Sequence, residues 1–136
     1  TMDKLQILKA WLETFPGWGE ADWDVDLTGE TPVSCRLTLE DDRVVHRQEN
    51  ILGDSTLAMQ VTFSLIRISY GEENPSQWVE DFTQWILQQS EPGNAPKLGE
   101  GITRFRTEKG KLEILGDKTV YTVRLLGTYE KIFEVK

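Results

Sequence analysis

Residues 74–89 read NPSQWVEDFTQWILQQ and combine a helix start with a regular apolar period. Asn74 is a favoured N-cap residue, Pro75 suits the first helical position, and Gln77 stands where it can close a capping box. Pro92-Gly93 predicts the end of the helix. The apolar residues recur at helical spacing and predict one buried face, formed by Trp78, Val79, Phe82, Trp85 and Ile86.

The segment before this helix predicts a long strand. One parity is apolar from Met59 to Leu65, and the opposite parity is apolar from Ile66 to Tyr70. Such a change of phase predicts a β-bulge or a strand that is buried on both faces.

Two more elements are predicted nearer the N-terminus. The apolar residues between Asp3 and Phe15 recur at helical spacing, and Pro16-Gly17 predicts the end of that helix. The alternation of aspartates with apolar residues from Asp22 to Leu27 predicts a strand with one solvated face.

A β-hairpin is predicted next. Its first strand alternates from Val33 to Leu39, the acidic run Glu40-Asp41-Asp42 predicts its turn, and residues 43–48 form a more polar second strand. We expect the loop from Glu49 to Ser55 to extend the hairpin beyond the body of the domain.

Three β-type runs follow the central helix, at residues 102–107, 111–115 and 120–135. Lys109-Gly110 and Gly116-Asp117 predict the turns between them, and Gly127 is expected to bend the last run.

Strand groups on both sides of the central helix, with two helices available to cover one face, predict an α+β fold. We expect a two-layer sandwich of a mostly antiparallel sheet and two helices, with a protruding β-hairpin and loop. A length of 136 residues predicts a single domain over residues 1–136.

Composition limits the classes of function. The chain is 38% hydrophobic and has a net charge of −8, which disfavours binding to a nucleic-acid backbone by phosphate neutralisation. Residues 1–96 hold 17 acids and 6 bases, whereas residues 97–136 hold 6 acids and 9 bases. We expect this asymmetry to support contacts between unlike surfaces of neighbouring copies. The single cysteine and the absence of a long apolar stretch predict folding in the cytoplasm.

The residues that carry chemistry are few, and we predict no catalytic, cofactor-binding or metal site. A hairpin that turned at residues 40–42 would bring Cys35 and His46 together as a nucleophile pair, but Cys35 is better explained as a core residue. The run Asp22-x-Asp24-x-Asp26 resembles the start of a calcium loop, and counted from Asp24 the loop has Gly29 at its sixth position. Its twelfth position is Cys35, where a bidentate Glu is required. A solvated strand face explains these aspartates better.

The order of these elements and their residues resembles the tail terminator, or tail completion, proteins of phages and prophages of Gram-positive bacteria. The resemblance rests on the helix motif Leu8-Lys9-Ala10-Trp11-Leu12, the strand Phe63-Ser64-Leu65-Ile66-Arg67 closed by Tyr70-Gly71-Glu72, the helix residues Phe82, Trp85, Ile86 and Gln89, and the loop residues Pro96 and Leu98. It covers nearly the whole chain by pattern and order.

The resemblance implies a structural virion protein of the tail or neck, assembled in the cytoplasm of the bacterial host. Such a protein forms a homo-oligomeric, commonly hexameric, ring on the head-proximal end of the tail tube. The implied partners are the tail tube protein and the head–tail connector, and DNA passes through the lumen without specific binding.

Two groups of residues are the candidate sites for this role. An acidic wall would repel DNA from the lumen, and we assign the lumen to Glu40, Asp41 and Asp42, with Glu49 and Asp54 as further candidates. Exposed apolar residues in a loop suggest docking on another subunit or on the tube, and we assign this interface to Glu49, Asn50, Ile51, Leu52 and Asp54.

Alternatives remain open at this point. Ile51 and Leu52 can instead fold back onto their own domain. The chain can be another phage neck, tail-tube or baseplate component, or a small-ligand-binding α+β domain with an apolar pocket.

Overall fold

The computed structural model describes residues 3–18, 21–23 and 33–133. Its elements are α1 (Lys4–Leu12), a 3₁₀ turn (Pro16–Trp18), β1 (Ala21–Trp23), β2 (Val33–Glu49), β3 (Ser55–Tyr70), α2 (Pro75–Ser90), β4 (Glu100–Leu115) and β5 (Lys118–Phe133). The strands form one sheet in the order β1-β2-β3-β5-β4. β1 is parallel to β2, and the other neighbours are antiparallel. The predicted α+β fold is confirmed.

Both predicted helices are present, and α2 has the expected N-cap. The Asn74 side chain accepts a hydrogen bond from the Gln77 amide at 3.2 Å, and Asp3 closes a full capping box with Gln6. The Gln77 side chain instead donates to Asp81 at 2.8 Å, so the predicted capping box at α2 is only half formed.

Aromatic side chains fill the space between the helices and the sheet. Trp78 and Phe82 of α2 stack with ring centres 5.1 Å apart, and Phe15 meets Phe82 edge to face. Trp11 stacks on Trp85, which is only partly buried. The sheet contributes fully buried side chains to this core, among them Val61, Phe63, Leu65 and Leu125.

The predicted turn at Glu40-Asp41-Asp42 is wrong. β2 continues through these residues and pairs with β3 as far as Glu49, with bulges between Leu39 and Asp41 and between Val44 and His46. The bulges accommodate the acidic run because pairing with β3 satisfies the backbone on both sides of it. The hairpin turns at residues 50–54 instead.

Of the two explanations given for the change of phase in β3, the structure supports burial on both faces near the end of the strand and not a β-bulge. Every second side chain from Leu57 to Ser69 is buried, and pairing with β5 shows no register shift. Arg67 and Ser69 therefore occupy core positions as polar residues, while Ile68 is buried on the opposite face.

The two runs predicted on either side of Lys109-Gly110 are a single strand, β4. The break is a register shift between Glu108 and Lys111, with Lys109 at a φ of 55°. The turn at Gly116-Asp117 is confirmed between β4 and β5. Of the strand predicted over residues 22–27, the structure describes only Asp22 and Trp23, within β1, and residues 24–27 lie outside the described part of the chain.

Gly127 allows close packing and does not interrupt β5. The pairing of β3 with β5 continues through it, and a Cβ at this position would lie 2.6 Å from the Phe105 ring. The glycine makes room for an aromatic ring.

Candidate functional site

The turn between β2 and β3 is organised by one side chain. The Oδ1 atom of Asn50 accepts hydrogen bonds from the Leu52 amide at 2.9 Å and from the Asp54 amide at 3.0 Å. The Asn50 amide donates to the Asp54 carbonyl at 3.0 Å, and Gly53 takes a φ of 89°. These bonds fix the backbone of the loop.

The fixed turn presents two apolar side chains to solvent. Ile51 is 101% exposed and Leu52 is 79% exposed. The alternative that they fold back onto their own domain is therefore wrong. We call residues 49–54 the hairpin tip. It brings together all five residues assigned to the interface, Glu49, Asn50, Ile51, Leu52 and Asp54.

The three carboxylates assigned to the lumen do not form one acidic wall. Glu40 pairs with Arg124 at 3.1 Å, and Asp41 pairs with Arg43 at 3.5 Å. Asp42 pairs with Lys4 of α1, on the face of the sheet that the helices cover. β2 separates the carboxylates because they lie in a strand and not at a turn, and each has a basic partner.

Asp42 belongs to a network that fastens α1 to the sheet. The Tyr129 hydroxyl donates to Asp42 at 2.7 Å, and the Lys4 ammonium donates to Tyr129 Oη at 2.7 Å. Burial by itself lowers the pKa of Lys4, but the hydrogen bonds to Asp42 and Tyr129 outweigh it and raise the pKa. Burial raises the pKa of the Tyr129 hydroxyl. Asp42 therefore helps to hold α1 against the sheet.

The structure contains a buried charged cluster that the sequence analysis did not predict. The Arg67 side chain is 4% exposed and forms two hydrogen bonds with the Glu72 carboxylate, at 2.9 and 3.1 Å. Ser69 donates to the same carboxylate at 2.7 Å, and the guanidinium lies 3.8 Å from the Trp78 ring centre. The only signal in the sequence is an arginine on the apolar parity of a strand, five residues before a glutamate.

The pKa values of two groups in and beside the cluster are shifted. Burial by itself raises the pKa of Glu72, but the hydrogen bonds from Arg67 and Ser69 outweigh it and lower the pKa. Burial raises the pKa of the Cys35 thiol to about 12, against a smaller opposing effect of Arg67. A thiol with that pKa is protonated at neutral pH and is a poor nucleophile.

The structure separates Cys35 from His46. The two residues lie in the same strand and pair with Arg67 and Ala58 respectively, which are nine residues apart in β3, so they stand about 30 Å apart at roughly 3.3 Å per residue. The nucleophile pair imagined for a turn at residues 40–42 therefore does not form.

The calcium motif falls largely outside the described chain, because Asp24 and Asp26 lie within residues 24–32. Among the residues that the structure does describe, no group of three or more His, Cys, Asp or Glu side chains is placed to hold a metal ion. Within the same ranges, no helix has the length and apolarity to span a membrane.

Comparison with known proteins yields little. No protein-family model and no curated protein matches the chain. A match among solved structures is the crystal structure of the type 4 fimbrial biogenesis protein PilO from Pseudomonas aeruginosa, at 8% identity and a TM-score of 0.23. The match covers 71% of this chain and only 58% of that one, and a likeness this weak carries no argument about function.

Proposed function

We propose that this chain is a structural protein of a phage or prophage tail. It caps the head-proximal end of the tail tube as a ring, stops tube polymerisation and offers a docking surface to the head–tail connector. The proposal rests on the resemblance of the element order and motifs to tail terminator proteins.

The structural observation that supports this role is the hairpin tip. Ile51 and Leu52 are exposed on a turn that Asn50 holds in place, and exposing two adjacent apolar side chains to water is unfavourable unless they dock on a partner. An ordered turn that presents two apolar side chains between acidic residues is suited to a contact with another subunit of an assembly.

The distribution of charge along the chain is a second observation in favour of a ring. It gives less support to an acidic lumen lined by residues 40–42. Segment 71–99, which contains α2, holds five acids and one base, whereas β5 holds three bases and one acid. Unlike surfaces on one subunit permit the head-to-tail contacts that a closed ring needs.

The test is the length of tails assembled with and without the protein. We expect deletion of its gene from the encoding phage or prophage to give tubes of irregular, extended length, as seen by electron microscopy. Added protein should restore uniform tails with a ring at one end. Tubes of unchanged, defined length in its absence would contradict the role of terminator.

A further inference from the structure

A surface groove of about 270 Å³ lies where the C-terminal end of α2 meets the edge strand β4. Its apolar walls are Leu87, Phe105 and Leu126, and its charged lining is Arg104, Arg106 and Glu91. Leu87 is 46% exposed, so part of the apolar wall is open to solvent. We call this cavity the α2–β4 groove.

The groove has the size and chemistry for an apolar side chain. Binding pockets for drug-sized ligands start at about 300 Å³ and enclose most of the ligand. A smaller groove that combines aliphatic and aromatic walls with two arginines fits an aliphatic residue with acidic neighbours.

The hairpin tip has this composition. Ile51 and Leu52 are exposed, and Glu49 and Asp54 flank them. The carboxylates of the tip complement Arg104 and Arg106, which outnumber the single acid of the groove, Glu91.

A subunit cannot place its own tip in its own groove. Thr128, which also lines the groove, pairs with Gln60 of β3, five residues away from Ser55, the first residue of that strand. The tip begins beyond Ser55, about 17 Å further along the sheet at roughly 3.4 Å per residue. In the sheet, β5 also separates the edge strand β4 from the hairpin formed by β2 and β3.

The edge of β4 beside the groove is itself occupied. The hydroxyl of Ser90, at the end of α2, accepts a hydrogen bond from the Phe105 amide at 3.0 Å. An incoming strand cannot use that amide, so docking at this place depends on side chains.

We propose that the hairpin tip of one subunit docks in the α2–β4 groove of a second copy of this chain. Leu52 and Ile51 supply the apolar contact, and Arg104 and Arg106 face Glu49 and Asp54. The contact joins unlike surfaces, so its repetition produces a ring or a filament. This inference deepens the proposed function by naming the contact between subunits.

Disulfide crosslinking tests the contact in the full chain. Leu52→Cys and Leu87→Cys are introduced separately, in a Cys35→Ala background that removes the native thiol. Both positions are exposed, so the folds should survive. On mild oxidation we expect an equal mixture of the two variants to form heterodimers several times faster than either variant forms homodimers, and a chain carrying both cysteines to form a ladder of oligomers.

Ile114→Cys is the matched control, because Ile114 is 60% exposed and lies toward the other end of β4. Mixed with Leu52→Cys, it should react at the background rate. Equal rates for the control and for Leu87→Cys would overturn the proposal. Faster homodimers of Leu52→Cys would overturn it as well.

Charge reversal gives an independent measurement. We expect Arg104→Glu with Arg106→Glu to abolish the tip-to-groove crosslink, and Glu49→Arg with Asp54→Arg on the partner to restore it. Loss without restoration would contradict the charge pairing. The crosslink requires no tails, so the contact and the terminator role can fail separately: a crosslinking chain that leaves tail length unchanged would refute the role and keep the contact.

Discussion

The Arg67 guanidinium lies 3.8 Å from the ring centre of Trp78, which joins the middle strand of the sheet to the helix that covers it. The same guanidinium holds the Glu72 carboxylate at two points, in the short connection between β3 and α2. One buried cation therefore fixes the strand, the connection and the helix relative to one another.

We expect Arg67→Met to destabilise the domain by about 3 kcal/mol, because removal of one partner leaves Glu72 partly buried and unpaired. Urea denaturation monitored by tryptophan fluorescence measures the change. The double variant with Glu72→Gln should recover part of the loss, since it removes the unpaired charge. A loss below about 1 kcal/mol in the single variant would show that the pair is not an important support of the fold.

Stability should fall in acid partly because of Glu72. Its folded-state pKa lies below the ordinary value of 4.5, so its contribution is present above pH 4.5 and is lost as the pH falls through the folded-state pKa. We expect Glu72→Gln to be less stable than the wild type at neutral pH and to lose less stability on acidification. Glu73→Gln, an exposed neighbour, is the control and should follow the wild-type curve.

Two aromatic residues on α2 should contribute unequally to the free energy of unfolding. Phe82 is fully buried, so Phe82→Ala should cost about 3–5 kcal/mol. Trp85 is only partly buried against Trp11, so Trp85→Ala should cost less. Equal losses in chemical denaturation would contradict this order.

Ile51→Ser with Leu52→Ser should leave the melting temperature unchanged, because neither side chain is buried in its own subunit. The same variant should lose assembly, measured as rings or as uniform tails in electron micrographs. Asn50→Ala is the contrasting variant, since it removes the acceptor of two amides and should lower the melting temperature by a few degrees. Intact assembly by a stable serine variant would exclude the interface role.

The Cys35 thiol should be inert in the folded protein. It is fully buried with a pKa of about 12, so a thiol-specific disulfide reagent should react with it only after denaturant is added. Rapid reaction of the native protein would contradict the burial of this residue.

Local signals in the sequence predicted the helices well. Asn74 and Pro75 act through the first turn of their own helix, and Asp3 acts in the same way at α1. The start and approximate extent of each helix therefore follow from neighbouring residues alone.

Features that depend on contacts between residues distant in the sequence could not be predicted in this way. Three consecutive acids favour a turn locally, but the pairing of β2 with β3 carries the strand through them. Arg67 could not be assigned to the core because its partners, Glu72 and Trp78, are known only once the connection to α2 is placed. The hairpin tip was predictable from its composition, whereas the α2–β4 groove was not, since it is built from three separate segments.

Phe105 belongs both to the buried core of the protein and to the lining of the α2–β4 groove. Its ring lies beside the bare backbone of Gly127. A methyl group at residue 127 would push the ring from its place, so even the smallest substitution at this hidden position reshapes the surface on which a second copy is proposed to dock. Defects in assembly can consequently arise from a residue that no partner ever touches.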